Sequence, residues 1–454
     1  MREITPAPEP TGDVQGIWSV NTRRTDSGEL EVAGVGVRDI AAKFGTPSYV
    51  LDEDDMRQRA RAWKSAMDDA FANLAGAEVF YAGKAFLSKA VSRWMSEEGL
   101  NIDTASEGEL RTALAAGVPG NRIGLHGNNK SVTEIELALD EGIAHIVIDS
   151  LPEVEQVAAL AAARGVCAPV YVRLTTGVHA GGHDFIQTAH EDQKFGLSVN
   201  SGAAQDAMKA IASHSSLKLL GLHSHIGSQI LSTEGFGEAA KAVLAVRQWA
   251  AGQGIDIPEV DLGGGYGVRY TEADAPAPPP AEFAEVLACA VREHVAETGL
   301  PAPLISIEPG RSIVAPAMLT LYRVGTIKDV HTDTGPRRYM SVDGGMSDNL
   351  RPALYGAQYT AAVASRAPEG EPVRSRVVGK HCESGDIVVH AVGLPTDTVA
   401  GDLLAVPVTG AYGRSMGSNY NMISRPGVVA VRDGRAYEIL RRETIDDQLA
   451  LDVG

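Results

Sequence analysis

Eight short apolar runs alternate with longer Ala-rich segments between about Val79 and Glu308. The runs are typical of buried strands, and the segments between them carry apolar residues at the three-to-four spacing of helices. The predicted strands are Val79–Ala82, Leu100–Asp103, Arg122–His126, His145–Asp149, Pro169–Leu174, Leu219–His225, Pro258–Leu262 and Leu304–Glu308. This alternation predicts a closed parallel (β/α)8, or TIM, barrel. A doubly wound open sheet is the alternative, but Val79–Phe86 lacks the G-x-G-x-x-G turn that such a sheet usually carries.

The pattern changes after Arg311, where strand-like runs are separated by Gly, Asp and Pro turns. These runs are Leu319–Val330, Arg338–Val342, Arg374–Val378, Ile387–Ala391 and Val428–Asp433. They predict a second, mostly β domain of barrel or sandwich form. Ile17–Val37 is expected to add strands to it, and Asp52–Asn73 to form the helix that leads into the barrel. The predicted boundaries are 1–45 for an N-terminal segment that joins the β domain, 46–310 for the barrel and 311–454 for the C-terminal β domain.

Composition excludes several classes of function. The 454 residues carry a formal net charge of −18, which argues against a broad nucleic-acid surface or an anionic membrane as partner. An anionic small ligand remains compatible with a local arginine cluster. No apolar run approaches the ~18 residues of a membrane-spanning helix, and the first residues lack a signal-peptide core. With only three widely spaced cysteines, Cys167, Cys289 and Cys382, a cytoplasmic enzyme or binding protein is expected.

Lys84 ends the first predicted strand, in the sequence Tyr81-Ala82-Gly83-Lys84-Ala85. Enzymes of the barrel class place their chemistry at the carboxyl ends of the strands. A lysine there can reach into a cleft and attack carbonyl compounds as a nucleophile. The alternative for a single lysine is a solvated charge at a strand end.

The sixth and seventh predicted strands end in further polar and Gly-rich sequences. His223 and His225 point the same way by the period of a strand, which suits either a metal site or a flat ring that stacks on a cofactor. No third metal ligand stands out, so no metal is predicted. Gly263–Gly265 follow the seventh strand, where the barrel class often binds phosphate, and Ser228 can add a hydroxyl donor.

Glu308 ends the eighth strand, where it can pair with a surface arginine or hold a proton on the ring nitrogen of a cofactor. A lysine, a phosphate cradle, a flat stacking partner and a carboxylate for a ring nitrogen together describe a pyridoxal phosphate (PLP) site. Their order on successive strand ends therefore predicts a PLP-dependent enzyme.

The motifs along residues 44–425 resemble the alanine-racemase-type (fold type III) group of PLP enzymes, and within it the meso-diaminopimelate decarboxylases. The motifs are Tyr81–Ala85, His126-Gly127-Asn128-Asn129-Lys130, His223–Gln229, Gly263–Gly265, Glu308-Pro309-Gly310-Arg311, Arg351–Tyr355, Cys382-Glu383-Ser384-Gly385-Asp386 and Gly410–Gly413. One departure is Phe86, where many relatives carry asparagine. It puts fine substrate positioning in doubt rather than the chemistry.

The resemblance implies a role for each matching residue. It implies that Lys84 forms the Schiff base with PLP, that His225 stacks on the pyridine ring and that Glu308 contacts the ring nitrogen. The implied phosphate and cofactor residues are Ser228, Gly263, Gly264, Gly265, Gly310, Arg311 and Tyr412. The implied substrate residues are Arg311, Arg351, Tyr355, Glu383 and Tyr412. Cys382, implied as a catalytic residue, and Glu383 match a pair that comes from the neighbouring subunit, which implies a homodimer with shared active sites.

The implied reaction is removal of the carboxylate at the D-centre of meso-diaminopimelate, which gives L-lysine and CO2 as the last step of lysine biosynthesis. Another decarboxylase of this fold, acting on ornithine, arginine, carboxynorspermidine or a carrier-linked amino acid, is the alternative. Arg311 and Arg351 argue for a second carboxylate on the substrate and thus against ornithine. Alanine racemase fits less well because of Glu308 and the chain length. A non-catalytic regulatory homologue should have lost these motifs, and a metal-dependent hydrolase should show a clear set of three ligands.

Overall fold

The computed structural model describes residues 5–177, 194–333 and 335–454, which form two compact units. The barrel unit comprises residues 59–267 and 277–310, and the β unit comprises residues 1–58, 268–276 and 311–454. No helix in these described ranges is long and apolar enough to cross a membrane.

The barrel unit contains the closed parallel barrel that the alternation predicts. Its strands are Ala77–Ala82, Asn101–Thr104, Ile123–Leu125, His145–Ile148, Ala168–Thr175, Leu217–Ser224, Glu259–Asp261 and Leu304–Ile307. Each strand pairs in parallel with the next, and the eighth closes on the first through Ile305 and Ala77. Leu197–Ser198 adds a short parallel strand beside Leu174 and Thr175. The eight predicted strands and the predicted closure are confirmed, so the open doubly wound sheet is excluded.

The helices of the barrel unit begin and end at residues that stabilise helix termini. They are Lys89–Glu97, Glu107–Ala115, Val132–Asp140, Leu151–Arg164, Ala203–Ser213, Glu234–Gly252 and Pro280–Thr298. Glu53–Phe71, the predicted entry helix, crosses the boundary between the units. Ser106 and Ser131 accept hydrogen bonds from the third backbone N–H of their helices, and Ser131 forms a full capping box with Glu134. Gly165 and Gly299 end their helices in the left-handed conformation that glycine adopts without strain.

The β unit is built around one long strand, Met318–Thr332. Its first half pairs with Ser48–Asp52 and Leu403–Val406, and its second half pairs with Gly335–Val342. The other strands are Ala362–Val363, Pro372–Val378, Ile387–Pro395, Gly427–Arg432 and Arg435–Leu440. The short helices of the unit are Val37–Phe44, Arg311–Val314, Arg351–Tyr355 and Ile445–Leu449. The prediction of a mostly β second domain is confirmed.

One detail at the amino-terminal end differs from the expectation. The predicted boundary assigns residues 46–58 to the barrel, but Ser48–Asp52 is a fully buried strand of the β unit that pairs in parallel with Gly427–Arg432. The expectation that Ile17–Val37 adds strands to the β unit is confirmed, because Thr22–Arg24, Leu30–Val32 and Val35–Gly36 form a separate three-stranded sheet in that unit. Their apolar side chains still join the β-unit core, because Trp18, Leu30 and Val32 pack in one cluster with Leu319 and Val429.

Candidate active site

A cavity of about 260 Å³ opens within the barrel unit at the carboxyl ends of its strands. Its polar lining residues are Lys84, Asp103, Thr104, Glu109, His126, Arg173, His223, His225 and Glu308. These residues follow or end strands one, two, three, five, six and eight, because parallel strands of a barrel all deliver their carboxyl ends to one face. Lys84, His225 and Glu308, which the sequence assigns to one site, therefore line one cavity.

Lys84 lies on a single 3-10 turn, Gly83–Ala85, that follows the first strand. The end of the strand, Val79–Ala82, and both neighbours of Lys84 are buried, whereas Lys84 itself is exposed and lines the cavity. A Cβ at Gly83 would lie 2.7 Å from the carbonyl oxygen of Asp103, and one at Gly310 would lie 2.9 Å from Cβ of Ala82. Both glycines thus allow neighbouring strand ends to approach closely around the lysine.

Glu308 lies at the centre of a buried polar cluster on the cavity wall. Its Oε1 is 2.8 Å from Nε2 of His223 and 3.5 Å from Nε2 of His126, and the latter nitrogen is 3.2 Å from Oδ1 of Asp103. Glu308 and Asp103 are only 6% and 5% exposed. The carboxylate of Glu308 is therefore surrounded by imidazole rings rather than by arginine or lysine partners of its own.

Burial and neighbouring charges set the ionisation of this cluster. Burial by itself raises the pKa of Glu308, but His126, His223 and Lys84 together hold that pKa well below its usual value. Burial lowers the pKa of His126 and of His223 to about 4. Burial, followed by the charge of Glu308, raises the pKa of Asp103 well above its usual range. At neutral pH Glu308 is thus ionised beside neutral histidines, and Asp103 is the carboxyl group of the cluster whose pKa burial raises.

The cluster fits the predicted cofactor. Oε1 of Glu308 is buried, and the ring nitrogen of His223 is its nearest donor at 2.8 Å. The ionised carboxylate lines the cavity and can also accept from a protonated pyridine nitrogen, a donor of suitable charge. Burial, followed by the charge of Lys84, lowers the pKa of His225 to about 3, so its ring is neutral and flat in the same cavity.

The glycine triplet after the seventh strand allows an unusually close approach of backbones. A Cβ at Gly263, Gly264 or Gly265 would lie 2.4 to 2.5 Å from the carbonyl oxygens of Ser224, Glu308 and Gly227 respectively. The next residue, Tyr266, anchors the loop by stacking on Phe236 at 4.8 Å. The triplet is therefore a packing requirement of the barrel end as well as a candidate phosphate cradle.

Two of the triplet's amides are already committed to protein acceptors. Gly263 N–H donates to Oδ1 of Asp261 at 2.8 Å, and Gly264 N–H donates to Nδ1 of His225 at 3.3 Å. The second bond fixes the tautomer of His225 with its proton on Nε2. Among the described residues, Gly265 N–H keeps no such acceptor, and its φ of +112° requires glycine. Of the three amides in the predicted phosphate cradle, that of Gly265 is therefore the one available to a phosphate. Ser228, its predicted hydroxyl donor, is exposed.

Within the β unit, three predicted substrate residues, Arg311, Arg351 and Tyr412, lie in a cluster of arginines and tyrosines. Arg351 lies 4.5 Å from the ring of Tyr270, and Arg311 lies 4.7 Å from the ring of Tyr412. Arg311 donates to the hydroxyl of Tyr270, and Arg351 donates to that of Tyr359. Tyr412 has a φ of +61°, a strained conformation for a side-chain-bearing residue. The cluster brings two guanidinium groups into contact with the same ring, that of Tyr270, and two such cations suit a carboxylate ligand.

The remaining predicted substrate residues are separate from this cluster. Tyr355 ends the helix Arg351–Tyr355 and is 66% exposed. Cys382 and Glu383 are exposed on a loop where Cys382 N–H donates to Oδ1 of Asn421. Oε1 of Glu383 accepts from the backbone N–H of Gly385, which holds the pKa of Glu383 below its usual value.

Several cavity residues were missed by the sequence analysis or given no role in it. Asp103 closes the second predicted strand, and His126 closes the third and begins the motif His126–Lys130, but neither was given a role. Arg173 lies inside the fifth strand, 3.9 Å from Asp149, with its guanidinium 4.7 Å from the ring of Phe195. These residues could have been identified from the sequence by one signal. Each is a charged or titratable residue inside, or at the end of, a strand that is otherwise buried.

The described residues also contain two sets of metal-ligand types that the sequence did not bring together. Asp103, His126 and His145 form one set, and His126, His223 and Glu308 form the other, with ligand atoms within 4.8 Å of one another. His225, the predicted partner of His223 in a metal pair, is in neither set. Because the second set contains the Glu308 carboxylate that faces the cavity, we assign the cluster to the cofactor.

Comparisons with known proteins agree with this geometry. Residues 53–315 match the family model described as "Pyridoxal-dependent decarboxylase, pyridoxal binding domain". The diaminopimelate decarboxylase of Mycobacterium tuberculosis is 50% identical over 443 residues, which cover 96% of this chain and 98% of the relative. The diaminopimelate decarboxylase of Bacillus subtilis is 44% identical over 433 residues, or 95% and 97% of the two chains.

A solved structure shares the whole architecture. The crystal structure of diaminopimelate decarboxylase from M. jannaschii in co-complex with L-lysine has a TM-score of 0.90 and 30% sequence identity. The match covers 96% of this chain and 98% of that one. The likeness therefore extends over both units.

Proposed function

This chain belongs to the pyridoxal-dependent decarboxylase family, and from that premise we propose that it converts meso-2,6-diaminopimelate to L-lysine and CO2, the last step of lysine biosynthesis. The observation that carries the proposal is the 50% identity to a diaminopimelate decarboxylase over 96% of the chain. The cavity supports it, because a lysine and a buried carboxylate lie there in the arrangement that a pyridoxal cofactor requires.

Pyridoxal 5'-phosphate, when bound, supplies an electron sink conjugated to the Cα of the amino acid. Lys84 is the residue that would hold it covalently, and Glu308 would accept a hydrogen bond from its pyridine nitrogen. The ionised state of Glu308 favours a protonated nitrogen and thus the stronger sink. His225 would contact the flat face of the ring. Ser228, Gly265 and Tyr412 are the candidates for the phosphate.

The β-unit residues are assigned to the substrate and to the proton that replaces CO2. The bond from Cα to the carboxylate carbon of the D-centre breaks, and Cα takes a proton from Cys382 or Lys84. Arg311 and Arg351 bind the carboxylate of the distal L-centre, and Glu383 binds its ammonium group. A charged group left unpaired in such a pocket costs at least ~1–3 kcal/mol, so L-lysine and plain diamines are poor substrates.

The protein acts as a homodimer in this proposal. Cys382 and Glu383 are exposed, so a second copy can receive them into its own site. The exposure of Leu354, Tyr355, Tyr420 and Met422 supports a contact surface in the same unit. We place the enzyme in the cytoplasm, where its three unpaired cysteines remain reduced.

The test is release of CO2 and L-lysine from meso-diaminopimelate by the purified protein with pyridoxal phosphate. L-lysine, L-ornithine and L-arginine serve as competing substrates at equal concentration. We expect turnover of meso-diaminopimelate alone. Turnover of ornithine or arginine would assign the chain to another activity of this family, and failure to turn over any of them would overturn the proposal.

A further inference from the structure

We infer that Tyr270 and Tyr359 are specificity-determining residues that hold Arg311 and Arg351 together as one receptor for the distal carboxylate of the substrate. The inference rests on the proposed function, and it assigns roles to two tyrosines that the motifs do not single out. All four side chains belong to the β unit.

Tyr270 contacts both arginines. The centre of its ring lies 4.5 Å from the guanidinium carbon of Arg351 and 5.9 Å from that of Arg311, and its hydroxyl accepts a hydrogen bond from Nη1 of Arg311. The ring is 5% exposed, so the two contacts are largely desolvated. A single buried ring thus fixes the relative position of two like charges.

Tyr359 completes the arrangement from the other side. Its hydroxyl accepts from Nη1 of Arg351, and its ring meets that of Tyr270 edge to face at 5.3 Å. Burial, followed by the neighbouring Tyr270, raises the pKa of Tyr359 to about 12. The phenol therefore stays neutral and leaves the charge of Arg351 in place.

Tyrosines suit this task better than carboxylates do. An aspartate or glutamate beside each guanidinium would neutralise it and compete with an anionic ligand. The ring faces and neutral hydroxyls instead reduce the repulsion between the arginines without removing their net charge. The guanidinium of Arg351 lies against the rings of Tyr270 and Tyr359, with Tyr412 more remote. The pair is thus pre-organised for one carboxylate.

The experiment compares two ligands that differ only in that carboxylate. Binding of L-lysine and of cadaverine, which is lysine without its carboxylate, is measured by calorimetry on the protein loaded with pyridoxal phosphate. We expect Tyr270→Leu to raise the Kd of L-lysine by about tenfold through the loss of two cation–π contacts. The Kd of cadaverine should change by less than about twofold. The lysine preference is the ratio of the Kd of cadaverine to the Kd of L-lysine. Tyr270→Phe and Tyr359→Phe, which each remove one hydroxyl, should each lower this preference by about threefold.

Kinetics provide the second readout. For meso-diaminopimelate, Tyr270→Leu should raise KM by about tenfold and change kcat by less than about threefold, since distal binding is shared by the ground and transition states. Tyr437→Phe is the matched control, because Tyr437 lies in the same unit and its hydroxyl contacts Glu53.

The outcomes separate this inference from the proposed function. Wild-type protein that binds both ligands but releases no CO2 contradicts the function and leaves the binding comparison to decide the inference. An unchanged lysine preference in Tyr270→Leu overturns the inference, as does an equal loss for lysine and cadaverine. If Tyr270→Leu fails to fold, the two phenylalanine variants decide, and an unchanged preference in both overturns it.

Discussion

The barrel unit and the β unit present their functional side chains in different ways. In the barrel unit the titratable groups contact one another, as Glu308 does with His223, and most are buried below the surface of one cavity. In the β unit they are divided between the buried arginine–tyrosine cluster and the exposed loop of Cys382 and Glu383. One chain forms the barrel cavity, whereas the exposed loop is available for the proposed contribution to the site of a second chain.

The difference also concerns charge. The barrel cavity keeps its histidines neutral by burial, so that the Glu308 carboxylate is the defined charge of the cluster. The arginine–tyrosine cluster instead keeps two cations close together on aromatic faces. In the proposed function, the first region would hold a proton on the ring nitrogen of the cofactor, and the second would bind the distal carboxylate of the substrate.

Replacement of Lys84 should have the largest effect. Lys84→Ala removes the only amine that we assign to covalent attachment, so turnover should fall by at least about 1,000-fold. The visible absorbance of the bound cofactor should change with it. Lys89→Ala, on the exposed start of the next helix, is the control. Near-normal turnover of Lys84→Ala would remove the barrel cavity from the mechanism.

Cys382→Ala tests the part of the comparison that concerns two chains. Loss of a positioned proton donor should reduce turnover by about 100-fold, with the cofactor still bound. When this variant is dissociated and reassembled with Lys84→Ala, half of the dimers should be mixed, and each mixed dimer should have one intact site. Activity should recover to roughly a quarter of the wild-type value.

No recovery in mixed dimers that have been verified by mass would contradict shared sites. It would assign Cys382 to the cavity of its own chain instead. Exposed Cys289→Ala is the matched control, and we expect it to leave turnover unchanged in either assembly.

Lys130→Met tests whether the barrel end is stabilised within one chain. Lys130 is buried, and its Nζ lies 3.0 Å from Glu153 and 2.7 Å from the carbonyl oxygen of Gly127. Removing the cation leaves Glu153 buried and uncompensated, so the free energy of unfolding should fall by about 3 kcal/mol. Lys130→Met combined with Glu153→Gln should regain part of that loss. Equal stability of the single variant and the wild type in urea would contradict the role of this pair.

His145→Phe should have a smaller effect that depends on pH. Burial, followed by His126, lowers the pKa of His145 from 6.5 to about 3. Below pH 6.5 the unfolded chain binds a proton that the folded chain does not, so stability falls as the pH drops towards 3. When the pH is lowered from 7.5 to 5, this histidine should reduce the free energy of unfolding by about 2 kcal/mol.

Over that pH range, the free energy of unfolding measured in urea should therefore fall by about 2 kcal/mol less for the variant than for the wild type. Stacking of the new ring on Tyr171, at 3.9 Å in the wild type, should preserve the packing. His214→Phe, on the surface beside Glu155, is the control. Parallel pH profiles for His145→Phe and the wild type would show that His145 is already charged, or that it titrates equally in both states.

Sequence periodicity was sufficient for the barrel because each strand and helix carries its own pattern. All eight predicted strands are present, and the helix Val132–Asp140 begins at the Ser131 capping box that the sequence contains. Periodicity did not assign Ser48–Asp52, because this buried strand lies far in sequence from its partners Leu319 and Val429. It also missed Leu403–Val406, whose partners Thr320–Arg323 are equally distant in sequence, and Arg435–Leu440, a strand whose residues are exposed or half-buried and so lack an apolar pattern.

The sequence by itself determined the closed barrel, the mostly β second domain and the motif residues Lys84, His225 and Glu308 at strand ends. These follow from local patterns and from the rule that parallel strands end on one face. Only the tertiary structure decided that Asp103 and His126 surround Glu308, that Gly264 N–H binds His225 and that Tyr270 contacts two arginines. The physical reason is distance along the chain: ionisation and ligand preference depend on groups that only folding brings within a few ångströms of one another.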